Sequence, residues 1–246
     1  MSRRISWKTT VPTFGLMALA LVIAPVAKAD IEGSGYTLTA TSTEGTASYS
    51  IPAPEYPGAY WHWSTTDRIE MRDQTSGNLV ATLNPNNGGC GVQYVEDPVI
   101  GLTFSVQAGG APTLFIISSG TLAFAPIPAA EARASASYTV TDFTGDGATL
   151  VPTGPKSYHA VYNGPTAFAD LIAAFGAASF SSNSSNESLP AGPGFIPIGP
   201  ATDMAVSLDF VLSPFDLASG TAVYVVQQRP LPVEATTWSK IKSLTQ

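Results

Sequence analysis

Two stretches of this 246-residue chain hold residue types that could do chemistry. The first is Asp142-Phe143-Thr144-Gly145-Asp146-Gly147, which has the outline of a calcium loop. Such a loop needs oxygen ligands at its first, third and fifth positions and a glycine at its sixth. Asp142, Asp146 and Gly147 fit, Thr144 is a weak third ligand, and Thr153 stands where a glutamate is needed. A Gly-Asp-Gly hairpin turn accounts for the same residues and is the preferred reading. The second stretch gathers Tyr56, Tyr60, Trp61 and Trp63 around His62. Aromatic rings stack on apolar faces, so Tyr60, Trp61 and Trp63 form a candidate sugar-binding platform. Trp61 and Trp63 share one face of a strand, a pattern equally natural for core residues. His62 and His159 are the only histidines, and neither has a metal-ligand partner at short spacing. No nucleophile elbow and no paired-histidine zinc motif is present. These spacings predict a non-catalytic protein with no obligatory cofactor, calcium at the Asp142–Asp146 loop being the one candidate.

The elements that must position these residues read as strands. Ile100, Leu102, Phe104 and Val106 alternate with Gly101, Thr103, Ser105 and Gln107, the period of a strand with one wet face. A Gly-Gly-Ala-Pro turn follows, then apolar runs at Leu114–Ile117 and Leu122–Phe124, predicting a three-strand meander. Ala132 to Val140 alternates again with Arg133, Ser135, Ser137 and Thr139, and Met204 to Leu212 is equally clean. Phe168, Leu171, Ile172 and Phe175 have helical spacing and predict one short helix. Ala177 to Thr202, rich in Ser, Asn, Gly and Pro, reads as a long irregular segment. The expected fold is all-β: an antiparallel β-sandwich, jelly-roll-like or Ig-like, with one short helix. It occupies residues 30–228, between a leader at 1–29 and a Pro-led tail at 229–246.

The leader combines Arg3, Arg4 and Lys8, an apolar run from Phe14 to Ala24, and the small-x-small pair Ala27 and Ala29. That is the three-part pattern of a secretory signal peptide cleaved near Ala29. Its apolar run is shorter than a membrane span. Four of the 11 basic residues and none of the 18 acidic ones precede Asp30, leaving seven basic against 18 acidic residues, a net charge of −11. So acidic a surface excludes nucleic acid and anionic membranes as natural partners. The single cysteine, Cys90, cannot form an internal disulfide, so stability must come from a core. In the tail, Trp238, Ile241 and Leu244 can share one helical face, which suggests a sorting or docking tag centred on Trp238 with no stable membrane span.

The segment Asp97–Ser119, DPVIGLTFSVQAGGAPTLFIISS, resembles uncharacterised exported bacterial β-sandwich proteins of the PEP-CTERM-associated type. Tyr138-Thr139-Val140-Thr141-Asp142, Tyr162-Asn163-Gly164 and the stretch Leu212–Thr221 extend the likeness. The tail is atypical: Pro232-Val233-Glu234 stands where their sorting motif would be, with no apolar span behind it. The resemblance implies a secreted or cell-surface location and no known activity. Residues and resemblance together predict an exported cell-surface or extracellular-matrix protein, structural or adhesive. Its expected partners are extracellular polysaccharide or other surface proteins. A carbohydrate-binding module acting through the Tyr56–Trp63 aromatics is the alternative, and a cryptic secreted hydrolase is the third reading.

Overall fold

The computed structural model describes residues 29–55 and 59–230. Every regular element among them is a β-strand. β1 (Asp30–Ser42) and β2 (Gly45–Pro52) form a hairpin, and β3 (Tyr60–Thr65) follows. The second hairpin joins β4 (Ile69–Arg72) to β5 (Leu79–Leu83). β6 (Cys90–Val95) and β7 (Val99–Ala108) precede β8 (Thr113–Thr141), a single strand of 29 residues. Short strands come next: β9 (Ala148–Val151), β10 (Tyr158–Tyr162), β11 (Thr166–Leu171), β12 (Phe175–Ala177) and β13 (Ser182–Leu189). Two long strands, β14 (Ile196–Leu212) and β15 (Leu217–Gln228), close the fold.

These strands form two antiparallel layers joined by the long β8. Its first part, Thr113–Ala123, lies between β1 and β14 in the layer β2-β1-β8-β14-β10-β11. Its last part, Ala130–Thr141, lies between β15 and β13 in the layer β3-β6-β7-β15-β8-β13. The inward faces of both layers meet in one core. Phe104 of β7 and Tyr138 of β8 stack edge to face at 5.1 Å. Phe210 of β14 lies 5.6 Å from both Phe104 and Phe115, tying the layers together. The antiparallel β-sandwich is therefore the observed fold.

Three local expectations are corrected. The three-strand meander is not one: β7 and β8 are consecutive but do not pair, β15 lying between them, and the runs at Leu114, Leu122 and Ala132 are one continuous strand. The expected helix is strand β11 followed by β12. A register shift between Ala160 and Val161 puts a bulge opposite Phe168, and Ile172 adopts φ +65°. Each break shifts the inside-outside phase by one residue. The inward set Phe168, Leu171, Ile172, Phe175 thereby imitates a period of 3.6. The Ser-rich stretch expected to be irregular holds β13, paired with β8 over eight residues from Ser182–Thr141 to Leu189–Ala134. It has no apolar alternation because both its faces are polar: Ser184 and Asn186 meet Thr139 and Ser137 on one, and Asn183 and Glu187 bond Gly176 C=O and Lys156 on the other.

One buried tyrosine repairs a gap in the ladder. β1 bulges between Glu32 and Tyr36, so its pairing with β8 skips Gly120. The hydroxyl of Tyr94 donates to Gly35 C=O and accepts from Gly120 N–H, both at 2.6 Å. Tyr94 is itself buried. Tyr94→Phe keeps the ring and strands both backbone groups. It is expected to cost about 1–3 kcal/mol. Urea unfolding checks this, as a lower midpoint with an unchanged slope.

Candidate functional site

The strand period divides the aromatic cluster. On β3, Trp61 and Trp63 turn inward and Tyr60, His62 and Ser64 turn outward. Trp61 lies over Gly35 and 5.6 Å from Tyr94, and Trp63 lies between Tyr36 and Tyr49 at 5.2 and 5.8 Å. Tyr60 is exposed and leans on His62 at 5.4 Å. The expected platform of Tyr60, Trp61 and Trp63 is thus not one surface: both indoles pack against the core, and Tyr60 alone faces outward with His62.

That outward side of β3 belongs to a larger feature. Antiparallel registers line up the outward residues of six strands. One row runs Ser64, Gly91, Thr103, Thr221, Ser137 and Asn186. The next runs His62, Gln93, Gly101, Val223, Ser135 and Ser188. A third runs Ser105, Ser219, Thr139 and Ser184. Six strands span about 24 Å at ~4.8 Å per interval. Three adjoining depressions of about 280, 620 and 340 Å³ lie along this face, and Thr221 lines all three. They make a shallow trough with a floor of Gly, Ser and Thr and a Tyr60–His62 rim, and Arg133 and Glu187 line the edge of its third depression. Asn186 accepts from the Ser137 hydroxyl, while Thr139 and Ser184 share a hydrogen bond of 2.8 Å. No ionisable carboxylate or amine stands in these three rows. Neutral donors and acceptors spread over such a length suit a hydroxylated polymer better than a small charged ligand.

The opposite wet face is charged by comparison. His159 of β10 sits between Asp170 of β11, 2.7 Å from its Nδ1, and Asp209 of β14, 3.6 Å from its Nε2. Asp209 also accepts from Thr153 Oγ1 at 2.7 Å. His159 thus meets two carboxylates and His62 a phenol ring; among the described residues neither imidazole is hydrogen-bonded to a hydroxyl or thiol. Cys90 is buried at the start of β6 with Ser105 N–H on its sulfur at 3.3 Å. Burial pushes its thiol pKa up, which makes it an inert packing group.

The Asp142–Gly147 loop is a turn stapled by its own amides. The Asp142 carboxylate accepts N–H bonds from Thr144, Gly145 and Phe180 at 3.0, 3.0 and 2.6 Å. Asp146 accepts from the Thr144 hydroxyl. Asp142 therefore points its oxygens at donors, where a cation ligand would need them free. Among the described residues no group of three His, Cys, Asp or Glu side chains gathers as a metal site. Burial works to raise the Asp142 pKa, but the amides of Phe180, Thr144 and Gly145 outweigh it and hold the carboxyl down at about 2. Asp73 plays the same part in the β4–β5 turn, where Ser76 and Thr46 amides hold it at about 2. Both values lie below the ordinary carboxylate range near 4. Their stabilisation is present above that range and is lost as pH falls through it toward 2. Wild-type melting temperature should drop steeply between about pH 4 and pH 2. The Asp73→Asn, Asp142→Asn variant, less stable at pH 6, should show a shallower drop across the same window.

Of the other expected site residues, Ala29 is buried immediately before β1, and Ala27 and Trp238 lie outside the described residues. Among the described residues no helix is long and apolar enough to cross a membrane. The trough itself escaped the sequence, although its residues were visible as the wet positions of alternating strands. What was missing was the register that sets Ser64 and Asn186 on one line.

No protein-family model and no curated protein matches the chain. Among solved structures, TmCBM61 in complex with beta-1,4-galactotriose is similar at a TM-score of 0.29 and 9% identity, over 53% of this chain and 71% of that one. The arabinose-bound MgGH51 α-L-arabinofuranosidase gives 0.28 and 10%, over 68% of this chain and 23% of the enzyme. Carbohydrate-binding modules from the β-sandwich super family give 0.19 and 10%, over 82% and 84%. At these scores none of the three transfers a residue correspondence or an activity to this chain.

Proposed function

We propose that this chain is an exported, non-catalytic β-sandwich that holds extracellular polysaccharide in the trough of its β3–β13 layer. The observation that carries this reading is the row Ser64, Gly91, Thr103, Thr221, Ser137, Asn186, uncharged across six strands. Hydroxyls and amides exchange hydrogen bonds with water for hydrogen bonds with sugar hydroxyls at little net cost, and many weak contacts along a polymer add up. A neutral floor also avoids the desolvation penalty of a buried charge. The leader pattern and the family resemblance support a place outside the cell, where such polymers are found.

Electrophoresis of the purified mature chain through gels containing soluble neutral polysaccharides (glucans, galactans, mannans, xylans) tests the reading. Retardation by at least one neutral polymer is expected, with no release of reducing ends. Free migration through every gel would overturn the binding function, and release of reducing ends at enzymatic rates would overturn its non-catalytic character.

A further inference from the structure

Beyond one end of the trough stand three exposed phenylalanines. Its last row is Gln107, Leu217, Thr141 and Ser182 on β7, β15, β8 and β13. Two residues beyond that row, on each of three adjacent strands, stands a phenylalanine: Phe215 before β15, Phe143 after β8 and Phe180 before β13. Their exposures are 52%, 45% and 74%. Phe180 and Phe215 also have φ of +49° and +61°, a backbone region that bulky residues rarely occupy. Residues held in such backbone regions cluster at binding sites and ligand clamps.

The three loops are held firmly. Phe180 N–H bonds to Asp142 at 2.6 Å, and its ring lies over Gly145, where a Cβ would come within 2.4 Å of it. Phe215 N–H bonds to Gly109 C=O at 2.9 Å, and Gln107 Nε2 donates to Phe215 C=O at 2.8 Å. Asp142 N–H bonds to Ser181 C=O at 3.0 Å. The rings are therefore presented by a preorganised frame, which lowers the entropy cost of using them. The loops at 142–147, 178–181 and 213–216 carry Asp142, Asp146 and Asp216 and no lysine or arginine, which repels anionic lipid or an acidic polymer. The 620 Å³ depression containing Thr139, Ser219 and Leu217 brings the neutral trough up to this lip.

We propose that Phe143, Phe180 and Phe215 form an aromatic lip that stacks on the ring faces of the polysaccharide lying in the trough. The proposal rests on the function proposed above and adds the class of ligand: a neutral glycan whose rings expose apolar C–H faces. The trough supplies hydrogen bonds, and the lip supplies the apolar contact that such bonds lack.

The test compares three proteins against a neutral polysaccharide that retards the wild type. They are the wild type, the Phe143→Ala, Phe180→Ala, Phe215→Ala variant, and the Phe143→Tyr, Phe180→Tyr, Phe215→Tyr variant. Melting temperatures confirm that all are folded. The alanine variant should lose at least about tenfold in affinity and the tyrosine variant should keep it. Wild-type affinity in the folded alanine variant would overturn the lip and leave the trough reading intact. Binding of phosphatidylcholine vesicles, or self-association in sedimentation, that vanishes in the alanine variant would overturn it in favour of a lipid or a second copy. If no polysaccharide binds the wild type, the trough reading falls and the lip with it.

Discussion

Phe210→Ala is expected to destabilise the protein by about 3–5 kcal/mol. Phe210 is fully buried on β14 and meets Phe104, Phe115 and Tyr138 at centroid distances of 5.6, 5.6 and 6.3 Å. Those partners come from β7 and from both parts of β8, so this one ring joins the two layers where they face each other. Removing it forfeits the transfer energy of the ring and leaves a cavity that close-packed, stiff strands cannot collapse. Against a total stability of roughly 5–15 kcal/mol, that is a large share. The melting temperature should fall by about 6–20 °C, at 2–4 °C per kcal/mol for a domain of this size. A loss below about 0.5 kcal/mol, within the range of an ordinary surface substitution, would mean that the layers do not share this core.

A large functional effect should come from the trough floor. Thr103→Val, Thr221→Val and Ser137→Ala together remove three hydroxyls from its central row with almost no change in shape. All three positions face outward, and valine and alanine suit or tolerate a strand there, so stability should stay near wild type. Each lost hydrogen bond is worth about 0.5–1.5 kcal/mol, so polysaccharide affinity should fall at least about tenfold. Affinity electrophoresis reads the change directly. Unchanged affinity in the triple variant would place the ligand elsewhere on the surface.

The fold was legible wherever a strand buries one side and wets the other. Ile100–Val106, Ala132–Val140 and Met204–Leu212 each carried their own inside-outside code, and all three are strands as read. It was illegible where the code changes phase. The bulge at Phe168 and the left-handed Ile172 turn a strand pattern into a helical one. It was illegible again in β13, whose pairing with β8 is made by backbone and by hydroxyls and leaves no apolar trace. The site was less legible than the fold. Alternation placed Trp61 and Trp63 on one side and Tyr60 on the other, but only the packing of Trp63 between Tyr36 and Tyr49 shows which side is dry. The trough and its lip depend on six strands from distant parts of the chain meeting in one register, a long-range fact that local composition does not encode.

Titration of the isotope-labelled chain from Asp30 onward with a short neutral oligosaccharide, followed by amide and methyl chemical shifts, tests the central claim most directly. The account predicts shifts concentrated along Ser64, Gly91, Thr103, Thr221, Ser137 and Asn186, with the opposite face around His159 unmoved. Saturable shifts centred on the His159, Asp170 and Asp209 face, or no saturable shift with any oligosaccharide of a polymer that retards the protein, would contradict it.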